Sequence, residues 1–260
     1  MPDFTHVVVV VFENHESNAI AGSSDAPTFN GLGARYARLT RYHGVTHPSL
    51  PNYLALVSGS TQGITNDCTD CVVDGRSLAD TLEAAGKTWK TYAEGLPSPG
   101  YTGGFSGNYA KKHDPFLYFR DVVSSRARRD RVVPLWRLAS DVNAHRLSDF
   151  SFVVPNLCND MHDCPVARGD AWFRKNIAPL VTSPELRGGV VFVIFDEGTT
   201  DEGGGGHIDA LALGPKVKAH SVFARATNHY GLLRTIEDAW HLPQLGLSAK
   251  GTPIGGIWKG

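Results

Sequence analysis

The chain opens on an apolar run, Val7-Val8-Val9-Val10-Val11-Phe12, that stops abruptly at Glu13-Asn14-His15-Glu16. An unbroken run of this length without polar alternation reads as a strand covered on both faces, as in a parallel sheet between helices. A second such run over residues 189–195 ends in Asp196-Glu197-Gly198. Further strands are predicted over residues 88–92, 150–156 and 207–215. Helical spacing falls between them, over residues 26–40, 77–86, 133–141, 170–180 and 229–240. Another helix starts around Pro51, with Ser49 or Leu50 as its cap, buries Tyr53, Leu54 and Val57, and stops at Gly59. Residues 61–75 form a polar loop. Residues 95–107, rich in Gly, Pro and Ser, begin a long loop running to Phe116, of the kind that shapes a pocket, with walls expected from residues 95–112. The basic run 126–131 reads as a solvated face. Strands alternating with helices predict an α/β protein, a three-layer α/β/α sandwich with a largely parallel central sheet. Neither a repeat nor a linker divides it, so one domain is expected over residues 1–260.

Composition narrows the class. The 260 residues are 42% hydrophobic and 20% charged, enough for one sizeable core. A net charge of -1 gives no basic field for nucleic acid. No apolar run is long enough to span a membrane. Met1-Pro2-Asp3-Phe4 has neither the charged start nor the apolar stretch of a signal peptide. The expectation is a cytosolic protein, or a mature form whose leader has been removed. The cysteines fall as Cys68/Cys71 and Cys158/Cys164, which allow three pairings. The unequal spacing favours local disulfides over a four-cysteine zinc site. Disulfides imply a secreted or periplasmic protein.

The polar residues at the strand ends share one chemistry. Glu13, Asn14, Asp196 and Glu197 offer oxygen ligands, and carboxylates gathered together repel unless a cation lies between them. The donor set favours one divalent ion, Ca²⁺, Mg²⁺ or Mn²⁺, with Zn²⁺ possible. Ser49 at a helix N-terminus could be an ordinary cap. Near a metal it could also be a nucleophile held as its alkoxide. Phosphoryl transfer further needs positive groups around the phosphorus and an acid for the leaving group. His113, His162 and His207, at loops or strand ends, can supply these, although each alone is more often structural. His6, His43, His145 and His241 stay in the background.

Six segments carry a resemblance: Phe12-Glu13-Asn14-His15, His47-Pro48-Ser49-Leu50-Pro51-Asn52-Tyr53, Lys112-His113-Asp114-Pro115-Phe116, Pro155-Asn156 with Asn159-Asp160-Met161-His162, Phe195-Asp196-Glu197-Gly198, and Gly205-Gly206-His207. In this order, over essentially the whole chain, they resemble the phosphoesterase family of bacterial acid phosphatases and phosphate-specific phospholipases C. The resemblance implies an alkaline-phosphatase-like fold and one catalytic metal rather than paired zincs. It implies that Glu13, Asn14, Ser49, Asp196 and Glu197 bind that metal, and that Ser49 is the nucleophile. It implies His113, His162 and His207 as pocket histidines, with Asn14, Asn52 and Asp160 toward the substrate. His15 and Glu16 become helix-start or rim residues. The chain stops soon after its last helix, whereas phospholipases C of the family carry extra C-terminal domains, so the acid phosphatase branch is expected. The expected reaction is phosphomonoester hydrolysis through a phosphoserine, with His207 or His162 protonating the leaving alcohol. Expected partners are small-molecule or lipid-headgroup phosphate esters, with peripheral lipid contact open. The alternatives are a phospholipase C-type diesterase, an inactive secreted module that binds metal and phosphate, and a cytosolic regulator with reduced thiols.

Overall fold

The computed structural model describes residues 1–259. Its main sheet has eight strands: β1 (Val7–Phe12), β2 (Ala37–Leu39), β3 (Trp89–Ala93), β4 (Val132–Pro134), β5 (Phe150–Val154), β6 (Val190–Phe195), β7 (Ala210–Leu213) and β8 (Ser221–Phe223). In space they run β8-β2-β7-β6-β1-β5-β3-β4. All neighbours pair in parallel except β7, which is antiparallel to β6 and β2. The two apolar runs are thus central and adjacent, and every residue of β1 and β6 is buried. Each of these side chains contributes about 1.5–3 kcal/mol by leaving water.

Helices cover both faces. Helix α1 (Pro27–Arg35) packs with α5 (Val166–Asn176). Helix α2 (Ser49–Ser58) packs with α6 (His229–Ala239) and α3 (Leu78–Ala84). Trp136–Asn143 forms the remaining long helix, α4. Phe12 points toward the first pair, its ring 5.1 Å from Phe29 and 6.1 Å from Phe173. Successive strand side chains alternate faces, so Glu13 turns the opposite way, toward α2.

Four expectations need correction. The segment 26–40 is not one helix: α1 ends at Arg35, Tyr36 breaks it with φ -112 and ψ -109, and β2 follows. A three-residue strand is too short for its alternation to show. Residues 133–141 divide into β4 and α4, and Pro134, which has no N–H to donate, closes an edge strand. The strand over 207–215 is two pieces, His207–Ile208 and Ala210–Leu213, parted where Asp209 leaves the ladder to bind Arg38 at 2.5 Å. The basic run is only partly a solvated face. Arg128 has a side chain 15% exposed and holds Asp80 (2.7 Å), Glu83 and Asp121.

Both cysteine pairs are closed locally, Cys68–Cys71 and Cys158–Cys164, which leaves no thiolates for a zinc site. Among the described residues no helix is long and apolar enough to cross a membrane.

Candidate active site

The site begins with sheet register. Phe12 pairs with Phe195 across β1 and β6, and the Asp196 N–H donates to the Phe12 carbonyl at 2.9 Å. On the other side the Glu13 N–H donates to the Asp160 carbonyl at 2.9 Å. The residues just beyond β1, β5 and β6 therefore stand side by side at the carboxyl edge of the sheet, where open α/β sheets bind ligands.

Ser49 reaches this edge from the opposite element. It is the first residue of α2 rather than its cap, which is Pro48. Asn52 pins the approach. Its amide oxygen accepts from the N–H groups of Val45 (2.9 Å) and Thr46 (3.2 Å), and its nitrogen donates to the Thr46 carbonyl (2.8 Å) and to Glu197 (3.3 Å). These partners occupy Asn52 with scaffolding where a substrate contact was expected.

Three groups converge on Glu13. The Ser49 hydroxyl donates to its Oε2 at 3.1 Å, and the Tyr53 hydroxyl donates to Oε1. Ser49 and Tyr53 are four residues apart on one helix face. His113, carried in on the short helical turn Lys111–His113, places Nε2 3.3 Å from Glu13 Oε2 and Nδ1 3.3 Å from Asp160 Oδ2. Its ring stacks on Tyr53, centroids 5.1 Å apart and 11° from parallel. Glu13, His113 and Asp160 are all buried, and their ligand atoms lie close enough together to hold a metal ion. His113 Nε2 and Asp160 Oδ2 are buried without a hydrogen-bond partner.

Asp196, Glu197 and Asn14 form the adjoining wall. Asn14, held at φ 48, donates its N–H to Asp196 Oδ1 at 3.2 Å. Its amide oxygen faces only acceptors; turned over, its nitrogen would lie 3.2 Å from Glu197 Oε1 and 3.3 Å from Asp196 Oδ1. Asp196 Oδ2 is buried and unpartnered. Amide and carboxylate oxygens gathered with an orphaned buried oxygen fit a hard divalent cation.

The charges agree. Burial, together with the charges of Glu13 and Glu197, pushes the Asp196 carboxyl well above its ordinary range. Burial also raises Glu197 to about 7, against the pull of His47, and Asp160 to about 6. Burial would raise Glu13 too, but His113 and its hydrogen bonds outweigh it and leave Glu13 lowered. Burial disfavours the His113 cation, yet Glu13 and Asp160 raise His113 to about 9. A positively charged imidazole thus sits between two carboxylates, and Glu197 has His47 at 2.8 Å, while no cationic side chain is paired with Asp196.

The other expected histidines separate. His162 stands at the rim, its ring 6.2 Å from His113, its N–H donating to Asp160 Oδ1 at 2.8 Å and its Nδ1 2.6 Å from Asp163. His207 pairs with the Thr40 carbonyl at 2.9 Å and faces His43, ring centroids 5.2 Å apart. It lines another cavity with Glu16, Thr200 and Glu202. The structure does not bring it to Ser49. Glu16 closes the loop after β6 through Thr199 and Thr200, in keeping with a rim residue.

Sequence reasoning missed four residues. Tyr53 reads in the sequence only as core, although its four-residue spacing from Ser49 places both on one helix face. His47 and Lys112 flank chosen residues: His47 Nδ1 lies 2.8 Å from Glu197, and Lys112 Nζ lies 3.0 Å from Asp67. His229 pairs with the Asp196 carbonyl at 2.5 Å, and nothing in its local sequence signals this. Of the predicted pocket wall, residues 95–97 line a cavity of about 740 Å³ with Leu135 and Trp136. That cavity is lined by none of the residues converging on Glu13, so it is separate from the candidate site. The rest of the wall delivers His113.

A family model described as "Phosphoesterase family" matches residues 22–243. The chain is 36% identical to a phosphatidylinositol-3-phosphatase of Mycobacterium tuberculosis, over 99% of this chain and 84% of that protein. It is 30% identical to an acid phosphatase of Aspergillus fumigatus over 83% of this chain, and spans about half (51%) of that relative's length. Among solved structures, an alkaline phosphatase superfamily protein from Vibrio parahaemolyticus matches at a TM-score of 0.65 and 13% identity, over 94% of this chain and 68% of that one. A phosphonate monoester hydrolase from Silicibacter pomeroyi matches at 0.59 and 11%, over 98% and 78%. At such identities these likenesses concern the fold.

Proposed function

The chain belongs to the Phosphoesterase family, and from that premise we propose that this phosphoric ester hydrolase cleaves phosphomonoesters through Ser49. The observation that carries the reading is the Ser49 hydroxyl donating to Glu13 Oε2 at 3.1 Å, at a helix N-terminus and beside His113. Glu13 and Tyr53 aim the hydroxyl. Its oxygen attacks phosphorus in line, and its proton passes along the hydrogen bond to Glu13. The leaving alkoxide takes a proton from His162, the histidine at the rim of this cluster; His207 lies apart from it. Water then gives a proton back to His162 as it attacks the phosphoserine, the bond between phosphorus and Ser49 Oγ breaks, and Ser49 takes its proton back from Glu13 as phosphate leaves. His113 stays protonated near pH 7 and supplies positive charge beside the transferring group. A divalent cation bound by Glu13, Asn14, Ser49, Asp196 and Glu197 would favour the serine alkoxide and neutralise phosphoryl charge.

Relatives named as phosphatases favour a monoesterase over a phospholipase C. The relative named as a phosphoinositide phosphatase makes phosphoinositides the first lipid headgroups to try. Two disulfides fit a protein that works outside the reducing cytosol. Purified Ser49→Ala should lose about a thousandfold or more in kcat on a chromogenic phosphomonoester. Exhaustive chelation should abolish wild-type turnover, and a divalent ion should restore it. Full turnover by Ser49→Ala would overturn the nucleophile, and chelator-resistant turnover would overturn the metal. A diester hydrolysed faster than the monoester would restore the phospholipase reading.

A further inference from the structure

Lys112 is not used in this mechanism, yet it is built into the site. Lys111, Lys112 and His113 share one turn, and all three are buried. His113 goes to Glu13, while Lys111 Nζ donates to the Thr69 carbonyl at 2.9 Å. Lys112, with only 11% of its side chain exposed, donates to Asp67 Oδ2 at 3.0 Å. The other oxygen, Asp67 Oδ1, accepts from the Leu50 N–H at 2.9 Å. Leu50 follows Ser49 directly. One carboxylate therefore spans an ammonium and a helix N-terminal N–H beside the nucleophile, two donors of the kind a phosphoryl group takes.

Charge sharpens the point. Glu13, Asp160, Asp196 and Glu197 line the site, and a phosphate monoester arriving among them meets repulsion. Burial disfavours the Lys112 cation, but the charges of Glu13 and Asp196 as well as Asp67 outweigh it and hold the ammonium charged. Asp67 is the more exposed member, at 29%. It can swing toward solvent while the lysine stays.

The geometry points to Lys112 as the residue that grips the substrate's phosphoryl oxygens, with Asp67 occupying that place in the free protein and yielding it when the ester binds. Lys112 then exchanges one anion for another and is never buried unpaired, which would be costly. The Leu50 N–H makes the same exchange. The loop bearing Asp67 is steadied beside it by the Cys68–Cys71 bridge and by Lys111 on Thr69. This assignment rests on Ser49 being the attacked-phosphate site proposed above.

The test is inorganic phosphate binding to the full chain by titration calorimetry, in Ser49→Ala so that no turnover intervenes. Adding Lys112→Met should weaken phosphate about tenfold or more, and Lys112→Arg should restore most of it. Adding Asp67→Asn should tighten phosphate several-fold, because the competing carboxylate is gone. A purely structural Asp67–Lys112 pair would give lower melting temperatures without these opposite shifts. Unchanged affinity in folded Lys112→Met, or no phosphate binding before it is added, overturns the proposal. If Lys112→Met does not fold, Asp67→Asn decides: equal or weaker binding overturns it. Failure of the Ser49 reading would appear separately, as turnover surviving in Ser49→Ala whatever the phosphate affinities.

Discussion

At the scale of residues, Glu13 is the hub. A serine and a tyrosine one helical turn apart donate to its two oxygens, and His113 leans on the same carboxylate. Tyr53→Phe removes one donor and keeps the ring stacked on His113. Losing a hydrogen bond to a buried charge costs about 1.5–3 kcal/mol. If Glu13 must be held for catalysis, kcat/KM should fall about 10–100-fold, beside a drop of only several degrees in melting temperature. Steady-state kinetics beside a thermal melt checks this, and wild-type kcat/KM would show that Glu13 needs no phenol. Glu13 and Ser49 were legible because each sits at a punctuation point, one ending an apolar strand and the other opening a helix. Tyr53 was not, because a tyrosine with 0% exposure reads as core. It is core along its ring and bonded to Glu13 at its hydroxyl. His162 and His207 looked equivalent because spacing along the chain does not say which side of the sheet edge a loop reaches.

At the scale of elements, the approach to α2 decides where Ser49 points. Asn52 holds that approach from inside the helix, ligating the backbone of Val45, Thr46 and Pro48. Asn52→Ala should leave partly buried backbone groups of Val45, Thr46 and Pro48 unpaired, destabilising the protein by about 1–3 kcal/mol. It should also lower kcat more than it raises KM if Ser49 is the nucleophile proposed, since it releases the approach to Ser49. Urea unfolding with parallel kinetics tests this, and lost stability with intact kcat would confine Asn52 to folding. The Pro-Asn pair was visible in sequence as a motif, but its work was not. An amide reads alike whether it faces substrate or its own backbone. The missed strands of the main sheet, β2, β4 and β8, are three residues each, where tertiary pairing overrides any local period.

At the scale of the whole molecule, several carboxyls outside the site are buried on folding and hold protons more tightly than they would in the open chain. Burial raises Glu237 to about 7, against hydrogen bonds from Ser248 and the Leu245 N–H, and raises Asp209 to about 6, against the Arg38 charge. With native values above the ordinary 4.5 and 3.8, the folded state binds more protons than the unfolded state between those limits. Stability from these groups is complete below the ordinary values and is lost as pH rises toward 6–7. Glu237→Gln should remove its share. The melting temperature of the variant minus that of wild type should grow between about pH 5 and about pH 7.5. A difference that stays flat across that range would rule out Glu237 as a contributor.

The order of apolar runs and their polar ends determined, by itself, the α/β class, the central strands, the acids at their carboxyl edge and the serine at a helix start, while cysteine spacing favoured the local pairs without choosing them. These are local properties: periodicity, abrupt changes of polarity and short separations along the chain. What the tertiary structure alone decided is which ends meet. The register of β1 with β6 and β5 sets Glu13 beside Asp196 and Asp160. The fold of the loops brings Asp67 from one and Lys112 from another to the helix that carries Ser49. Such meetings depend on sheet order and on layers packing across dozens of residues, and no pattern within a single segment encodes them.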